Sequence, residues 1–414
     1  MLDQRFEFNP EADGDFFSTV APAPAVFILR GEDANSQPYV SKTANLRRRL
    51  QRLLSPPVEH TKRLNLRNRV RSIEYSLTGS DFESGFVLYK VLRSVFPGTY
   101  SNRLRLRSAP LVKLHLENEY PRASVTTRLG RVSDTRSPGK NVYYGPFASR
   151  VSAEKFMNDA LDFFKMRRCV DDLHPDPKFP GCVYSEMKMC LAPCYRGCSD
   201  DEYREEVVRV EEFFDSRGES LKWQVAAERE AASARMEFES AAAIHARLNK
   251  LSALLQHLPE FVCRIDQMHA VIVQSSLQSS AQSSPHRSAQ NLVQKSASES
   301  HRSESVALFR VDGGAIAGPF EFPISAGEHT KSQSMEARIQ AALASFPPAE
   351  PQSATERMEH LAILKRWCYR GSRAGEIFFA DARGELPMRR LVRGISRVYK
   401  GEAPEIEMVP PPVE

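Results

Sequence analysis

The sequence predicts an α+β multidomain protein, and three observations carry the prediction. Strand-like and helix-like segments alternate from residue 25 to residue 168, a block of helix formers runs from Ser199 to Leu258, and a Ser- and Gln-rich stretch precedes a second alternating region. At 414 residues the chain exceeds one ordinary core, and 41% hydrophobic with 26% charged residues is the balance of a globular protein. No run approaches eighteen apolar residues, and Met1 to Asp15 lacks the basic-then-apolar pattern of an export signal. A cytoplasmic protein with no membrane partner is expected.

The elements follow in order. Ala25–Leu29 and Pro38–Val40 read as strands joined by a turn rich in Gly, Asp and Asn. Leu46, Leu50, Leu53 and Leu54 then recur at helical spacing among arginines, which predicts an amphipathic helix with a basic outer face. Ser72–Leu77 reads as a third strand, and Phe82–Phe96 as a helix stopped by Pro97 and Gly98. These make a first unit at 20–107. A second unit, 108–198, has strands at Leu111–Leu116 and Ala123–Leu129, a helix at Ser152–Met166, and then five cysteines. Residues 199–260 predict one or two long helices, Ala-rich from Ala226 to Ala246. Residues 275–305 hold too little apolar surface to fold and read as a flexible linker. The last unit, 306–414, opens with a hairpin, Val306–Val311 and Pro319–Phe322 around Asp312-Gly313-Gly314. Helices follow at Met335–Phe346 and Thr355–Trp367, then a basic segment, Met388–Lys400.

Charge is distributed unevenly. Lys42 to Arg107 holds fifteen Lys or Arg against four Asp or Glu, so the rest of the chain is net acidic. Arginine dominates and clusters at Arg47, Arg48, Arg49 and Arg52 and again at Arg63, Arg67, Arg69 and Arg71, which points to phosphate contacts and to DNA as partner. Arg47, Arg48 and Arg52 are the candidate DNA-binding residues.

Val26-Phe27-Ile28, then Pro38-Tyr39-Val40-Ser41-Lys42, then Asn45-Leu46-Arg47-Arg48-Arg49-Leu50 resemble, in order and spacing, the GIY-YIG nuclease domain in its UvrC form. The resemblance implies a scissile-phosphate site of two tyrosines, a lysine, an arginine and a metal-holding glutamate. Carried over by position, Tyr39, Lys42 and Arg49 are retained as catalytic candidates. Phe27 replaces the first tyrosine, Ser41 replaces a glycine, and Leu88 stands where the glutamate belongs, if Thr78-Gly79-Ser80 and Glu83 mark the approach to its helix. Phosphodiester hydrolysis needs water activation and a cation or metal on the developing charge. A leucine cannot ligate magnesium, and Glu83 lies roughly 140° around the helix from position 88. The expected state is a UvrC-like DNA-binding protein of nucleotide excision repair with an impaired nuclease site. An active single-incision endonuclease, with Mg as its cofactor, and an iron–sulfur redox sensor on DNA are the alternatives.

The resemblance continues through Tyr143-Tyr144-Gly145-Pro146-Phe147 to the cysteines. Cys169, Cys182, Cys190 and Cys194 are separated by twelve, seven and three residues. In a reducing compartment such a group argues for a metal or cluster, and the spacing alone leaves zinc and iron–sulfur open. The resemblance implies a [4Fe-4S] cluster. Cys198 is a fifth candidate, while Cys263 and Cys368 read as core positions. Arg235-Met236-Glu237-Phe238-Glu239-Ser240-Ala241-Ala242, running to Leu248, looks like a UVR motif, the helical hairpin by which UvrC proteins grip UvrB, with Phe238 as the knob. UvrC's second, RNase H-like nuclease and its helix-hairpin-helix tail have no counterpart in 306–414. The hairpin around Asp312-Gly313-Gly314 weakly resembles the region that precedes that nuclease.

Overall fold

A computed structural model describes residues 2–12, 16–33, 36–56, 63–130, 140–277, 305–325, 333–351, 353–371, 373–381 and 383–403. Its described residues form three antiparallel four-stranded sheets with helices between them.

The first sheet contains β1 (Gln4–Glu7), β2 (Ala25–Arg30), β3 (Tyr39–Thr43) and β4 (Ser72–Leu77), in the order β1-β4-β2-β3. A short helix, α1 (Phe16–Thr19), precedes β2, and α2 (Leu46–Leu54) follows β3. Helix α2 begins where the Asn45 side chain accepts the Arg48 N–H at 2.9 Å, satisfying one of the free amides of the first turn. Its four leucines are buried against Phe27, Leu29, Ile73 and Tyr75. Because side chains alternate along a strand, the neighbours Val26 and Ile28 point the other way. They pack on α3 (Asp81–Val95), together with Leu88, Val91 and Val95. A short α4 (Tyr100–Leu104) follows α3. The strand β1, unforeseen in the sequence, is exposed along its whole length and, among the described residues, pairs only with β4.

The second sheet contains β5 (Leu111–Leu114), β6 (Ala123–Thr126), β7 (Val142–Gly145) and β8 (Cys263–Arg264), in the order β6-β5-β7-β8. Helix α5 forms at Arg150–Leu161, earlier than the expected Ser152–Met166. The hydroxyls of Ser149 and Ser152 cap its start reciprocally, and the chain turns at Asp162 so that Phe164 and Met166 enter the core. A single turn, α6 (Val183–Glu186), lies among the cysteines. Beyond them α7 (Asp200–Asp215), α8 (Glu219–Ala234) and α9 (Phe238–Gln256) replace the one or two helices expected. The first break falls at Arg217 and Gly218, both left-handed, and a Cβ at Gly218 would lie 2.6 Å from a methyl of Leu255. Helix α7 belongs to the second core through Tyr203, Val207, Val210, Phe213 and Phe214. Helices α8 and α9 pair as a hairpin that buries little else: Leu221, Val225 and Ala232 from one, Leu251 from the other.

The third sheet contains β9 (His269–Ser275), β10 (Ser305–Asp312), β11 (Ala315–Pro323) and β12 (Glu376–Phe379), in the order β11-β10-β9-β12. Its helices are α10 (Met335–Ser345), α11 (Ala354–Cys368) and α12 (Met388–Lys400). The β10–β11 hairpin and the first two helices match the sequence expectation, and the segment read only as basic, Met388–Lys400, is the third helix. A boundary at 306 does not describe this sheet, because β9 lies on the amino-terminal side of the Ser/Gln-rich stretch and is an inner strand between β10 and β12. Residues 278–304 of the expected linker lie outside the described residues, while Ser275 and Ser305 are strand residues paired in this sheet.

The units interlock at α3. The face of α3 turned from β2 carries Phe82, Phe86 and Tyr89, which enter a core with Ile272, Phe309, Leu361 and Trp367 of the third unit and Leu111 and Tyr143 of the second. Phe82 meets Phe309 edge-on at 4.9 Å, and Lys90 donates to the Gly318 carbonyl at 2.8 Å.

Candidate functional site

Tyr39 and Arg49 meet in the first unit. Arg49 Nη2 donates to Tyr39 Oη at 2.7 Å, the contact that a ten-residue step from strand to helix allows. Arg49 Nε is buried with no hydrogen-bond partner, so this guanidinium holds a donor in reserve. Phe27 lies 6.0 Å from the Tyr39 ring, fully buried, and presents carbon where a tyrosine would present a hydroxyl.

Lys42 does not join them. It pairs in register with Val26, on the face opposite Phe27, and its Nζ contacts Asp81 Oδ1 at 2.5 Å. Arg370, from beyond α11, bonds the other oxygen of Asp81. Burial pushes the Asp81 carboxyl upward, but Lys42 and Arg370 together outweigh it and hold the group below its ordinary value. Leu88 also lies on this side, within the apolar cluster of Val26, Ile28 and Val91. Glu83 is turned elsewhere. It accepts the Gly79 N–H at 2.8 Å and lines a cavity with Asp3 and Glu321, where burial and those two acids push it up to about 7. The family positions are thus divided by the hairpin, the retained Tyr39 and Arg49 on one face and the retained Lys42 with the substituted Leu88 on the other. Asp81 and Arg370 were missed in the sequence because 289 residues separate them.

The arginines divide as well. Arg47 donates to the carbonyls of Val20 at 2.7 Å and Ser18 at 3.0 Å, fastening α2 to the segment before β2. Arg67 donates to Leu54 and Pro10 carbonyls. Arg48, Arg52, Arg63 and Arg69 are exposed and form no ion pair among the described residues. These side chains present the charge that a polyanion would meet.

Cys169, Cys182, Cys190 and Cys194 are partly buried free thiols, and Cys190 senses the other three electrostatically. Burial, then those neighbours, push Cys190 up to about 11 despite the Ala192 N–H that it accepts at 3.3 Å. Arg167, itself buried, donates to Cys169 Sγ at 3.4 Å and to the Asp171 carbonyl at 2.8 Å. Among the described residues no three Cys, His, Asp or Glu side chains form a ready grip for a single metal ion. Cys198 packs on the second core and is raised by burial, then by Glu202, Asp200 and Cys194. Cys263 and Cys368 are core thiols that burial raises to about 12.

The α8–α9 hairpin ends in an exposed apolar tip. Met236, left-handed at φ 59°, and Phe238 are 75% and 72% exposed, and an Arg235–Glu237 ion pair braces the turn between them. No helix among the described residues is long and apolar enough to cross a membrane.

An α/β unit, a cysteine-rich module and a helical hairpin thus stand on one chain. Residues 111–213 match the family model of the UvrC/Cho excinuclease middle domain. The UvrABC system protein C of Rickettsia rickettsii (strain Sheila Smith) is 30% identical over 226 residues, which are 54% of this chain and 34% of that protein. The proteins of the same name from Rickettsia conorii and Rickettsia felis are 30% and 29% identical over the same length. Over this region the chain is similar to UvrC proteins, and the match spans about a third of the length of those relatives. No solved structure matches it.

Proposed function

We propose that the chain serves nucleotide excision repair as a DNA-binding UvrC relative that docks UvrB through the tip of α8–α9 and does not cut DNA at its GIY-YIG-like site. The observation that carries the reading is the surroundings of Leu88: the position of the metal carboxylate is filled by an apolar side chain among Val26, Ile28 and Val91. Tyr39 and Arg49, with the spare Nε donor, remain suited to hold a phosphate oxygen without activating water against it. Exposed Arg48 and Arg52 supply charge for the flanking backbone. The rival reading, an active single-incision endonuclease using Mg, needs a carboxylate beside Tyr39 and Arg49. The acids that open α3 are engaged away from that pair, Asp81 with Lys42 and Arg370, and Glu83 with Gly79.

The four cysteines are the residues we propose as ligands of a [4Fe-4S] cluster, held by closure of the loops that carry them. The N–H groups of Arg167 and Ala192 already donate to two of the sulfurs, as outer donors do for cluster thiolates, and the loops from Cys169 to Cys198 contain one α-helical turn, one 3-10 turn and little core of their own. When bound, the cluster would cross-link those loops. Zinc is the alternative occupant, and redox sensing the alternative use.

The test incubates the full chain with a lesion-bearing duplex, UvrB, and Mg²⁺ or Mn²⁺. UvrB-dependent retention of the duplex without nicking is expected, with retention lost in Phe238→Ala. Metal-dependent nicking that Arg49→Ala abolishes would overturn the reading.

A further inference from the structure

Helix α12 carries five basic residues and no acid, Arg389, Arg390, Arg393, Arg397 and Lys400. One of the five is structural. Arg397 turns inward and grips both oxygens of Glu376 at 2.8 and 2.7 Å, and that carboxylate is 6% exposed. Beside it Gly394 lets the helix lie directly on β12, since a Cβ there would stand 2.7 Å from the Phe378 ring. Leu391, Ile395 and Val398 complete the buried side, at 0%, 1% and 6% exposure.

The remaining bases face outward. Arg390 has a loose contact with Glu260 at 3.9 Å and Lys400 with Glu402 at 3.8 Å. Arg389 and Arg393 have no ion-pair partner among the described residues, and their one mutual contact is Arg393 Nε to the Arg389 carbonyl at 3.3 Å. Being four residues apart, they lie one above the other, about 6 Å along the axis. That is close to two phosphate steps of about 3.4 Å along one nucleic-acid strand. Helix α2 repeats the arrangement: Arg48 and Arg52 are also four apart, exposed, and backed by buried leucines.

We infer that the outer face of α12, centred on Arg389 and Arg393, is a second contact for the phosphate backbone of nucleic acid, separate from α2. The inference rests on the reading of the chain as a DNA-binding protein. A membrane surface is the poorer partner, because an interfacial helix must sink an apolar face into lipid and this one has committed that face to the sheet. Guanidinium groups, with their planar forks, favour phosphate oxygens over the diffuse attraction that lysines provide.

The test titrates the full chain against a fluorescent duplex of mixed sequence over a series of salt concentrations. Arg389→Gln with Arg393→Gln should lower the slope of log affinity against log salt by about two and weaken binding roughly tenfold to a hundredfold at 0.1 M salt. Arg48→Gln with Arg52→Gln should do the same, and the thermal midpoint should stay at the wild-type value in both. Arg389→Lys with Arg393→Lys keeps the charge and should hold the slope near wild type, which guards against a misfolded Gln variant. An α12 variant with unchanged slope, beside an α2 variant that weakens, would overturn the inference and leave the DNA-binding reading standing. A wild-type chain that binds no duplex at low salt would remove both. Unchanged DNA binding with lost binding to phosphatidylglycerol vesicles would reassign α12 to lipid.

Discussion

Gly79 lies so close to Ser275 that the backbone of the first unit touches the edge of the third. A Cβ at position 79 would stand 2.6 Å from the Ser276 carbonyl carbon and 2.8 Å from the Leu277 nitrogen, so nothing larger than hydrogen fits. Gly79→Ala should therefore destabilise the protein by about 1–3 kcal/mol. Gly98→Ala, where nothing lies within 4 Å, should change little. Urea midpoints of the two variants check this; equal midpoints would mean that the two units are not in contact here.

If a hydroxyl and a carboxylate were all that is missing, the sequence leads one to expect that Phe27→Tyr with Leu88→Glu restores incision. The structure revises that expectation, because Phe27 and Leu88 pack on opposite faces of β2. The double variant should remain without metal-dependent nicking. Leu88→Glu alone should cost about 2–4 kcal/mol, since a carboxylate replaces an apolar contact. Nicking by the double variant in a supercoiled-plasmid assay would show that the two positions do share a site.

Arg47 and its neighbours should separate in their effects. Arg47→Ala breaks two bonds to carbonyls and should lower stability by about 1 kcal/mol with little change in DNA affinity. Arg48→Ala with Arg52→Ala should leave stability within about 0.5 kcal/mol and weaken DNA binding in a salt-dependent way. Paired melting and anisotropy measurements decide; the reverse pattern would undo the assignment.

Anaerobically purified protein should be brown, with about four irons per chain. Cys190→Ser should bleach it and open the Cys169–Cys198 region to protease, while Cys198→Ser should do neither. Iron analysis and visible absorbance settle the point, and a colourless protein carrying one zinc would identify the other occupant.

His360 is buried between α3 and β11, where its Nδ1 accepts the Ile316 N–H at 3.0 Å and burial draws its pKa down to about 4. The unfolded imidazole takes a proton near 6.5, which the folded one refuses. Stability from this group is therefore complete above about 6.5 and declines as the pH falls toward 4. Wild type should lose more stability than His360→Gln between pH 7 and pH 5, measured as the shift in urea midpoint; parallel losses would mean that His360 is protonated in the fold.

What the sequence made legible was whatever short range dictates. The α2 leucines recur at helical spacing and are buried, and the ten-residue step from Tyr39 to Arg49 becomes a hydrogen bond. What escaped depends on long range. Strand β1 has no alternation to read, since all four residues are exposed, and β12 has only four residues. Strand β9 is an apolar run cut from its partner β10 by a polar stretch, so composition draws a boundary where the sheet has none. Lys42 was grouped with Tyr39 by motif, yet a side chain three positions along a strand points to the opposite face, where Asp81 waits.

Helix α3 is mortar between two walls. One side grips Val26 and Ile28, and the other, through Phe82, Phe86 and Tyr89, grips Phe309 and Trp367. A fragment that stopped after the first unit would carry a naked aromatic seam along this helix. It would clump or pair with itself, and only the missing carboxy-terminal third, supplied as a separate piece, would make it well behaved. The amino-terminal unit is therefore not a detachable cassette, and transplanting it means transplanting the wall behind it.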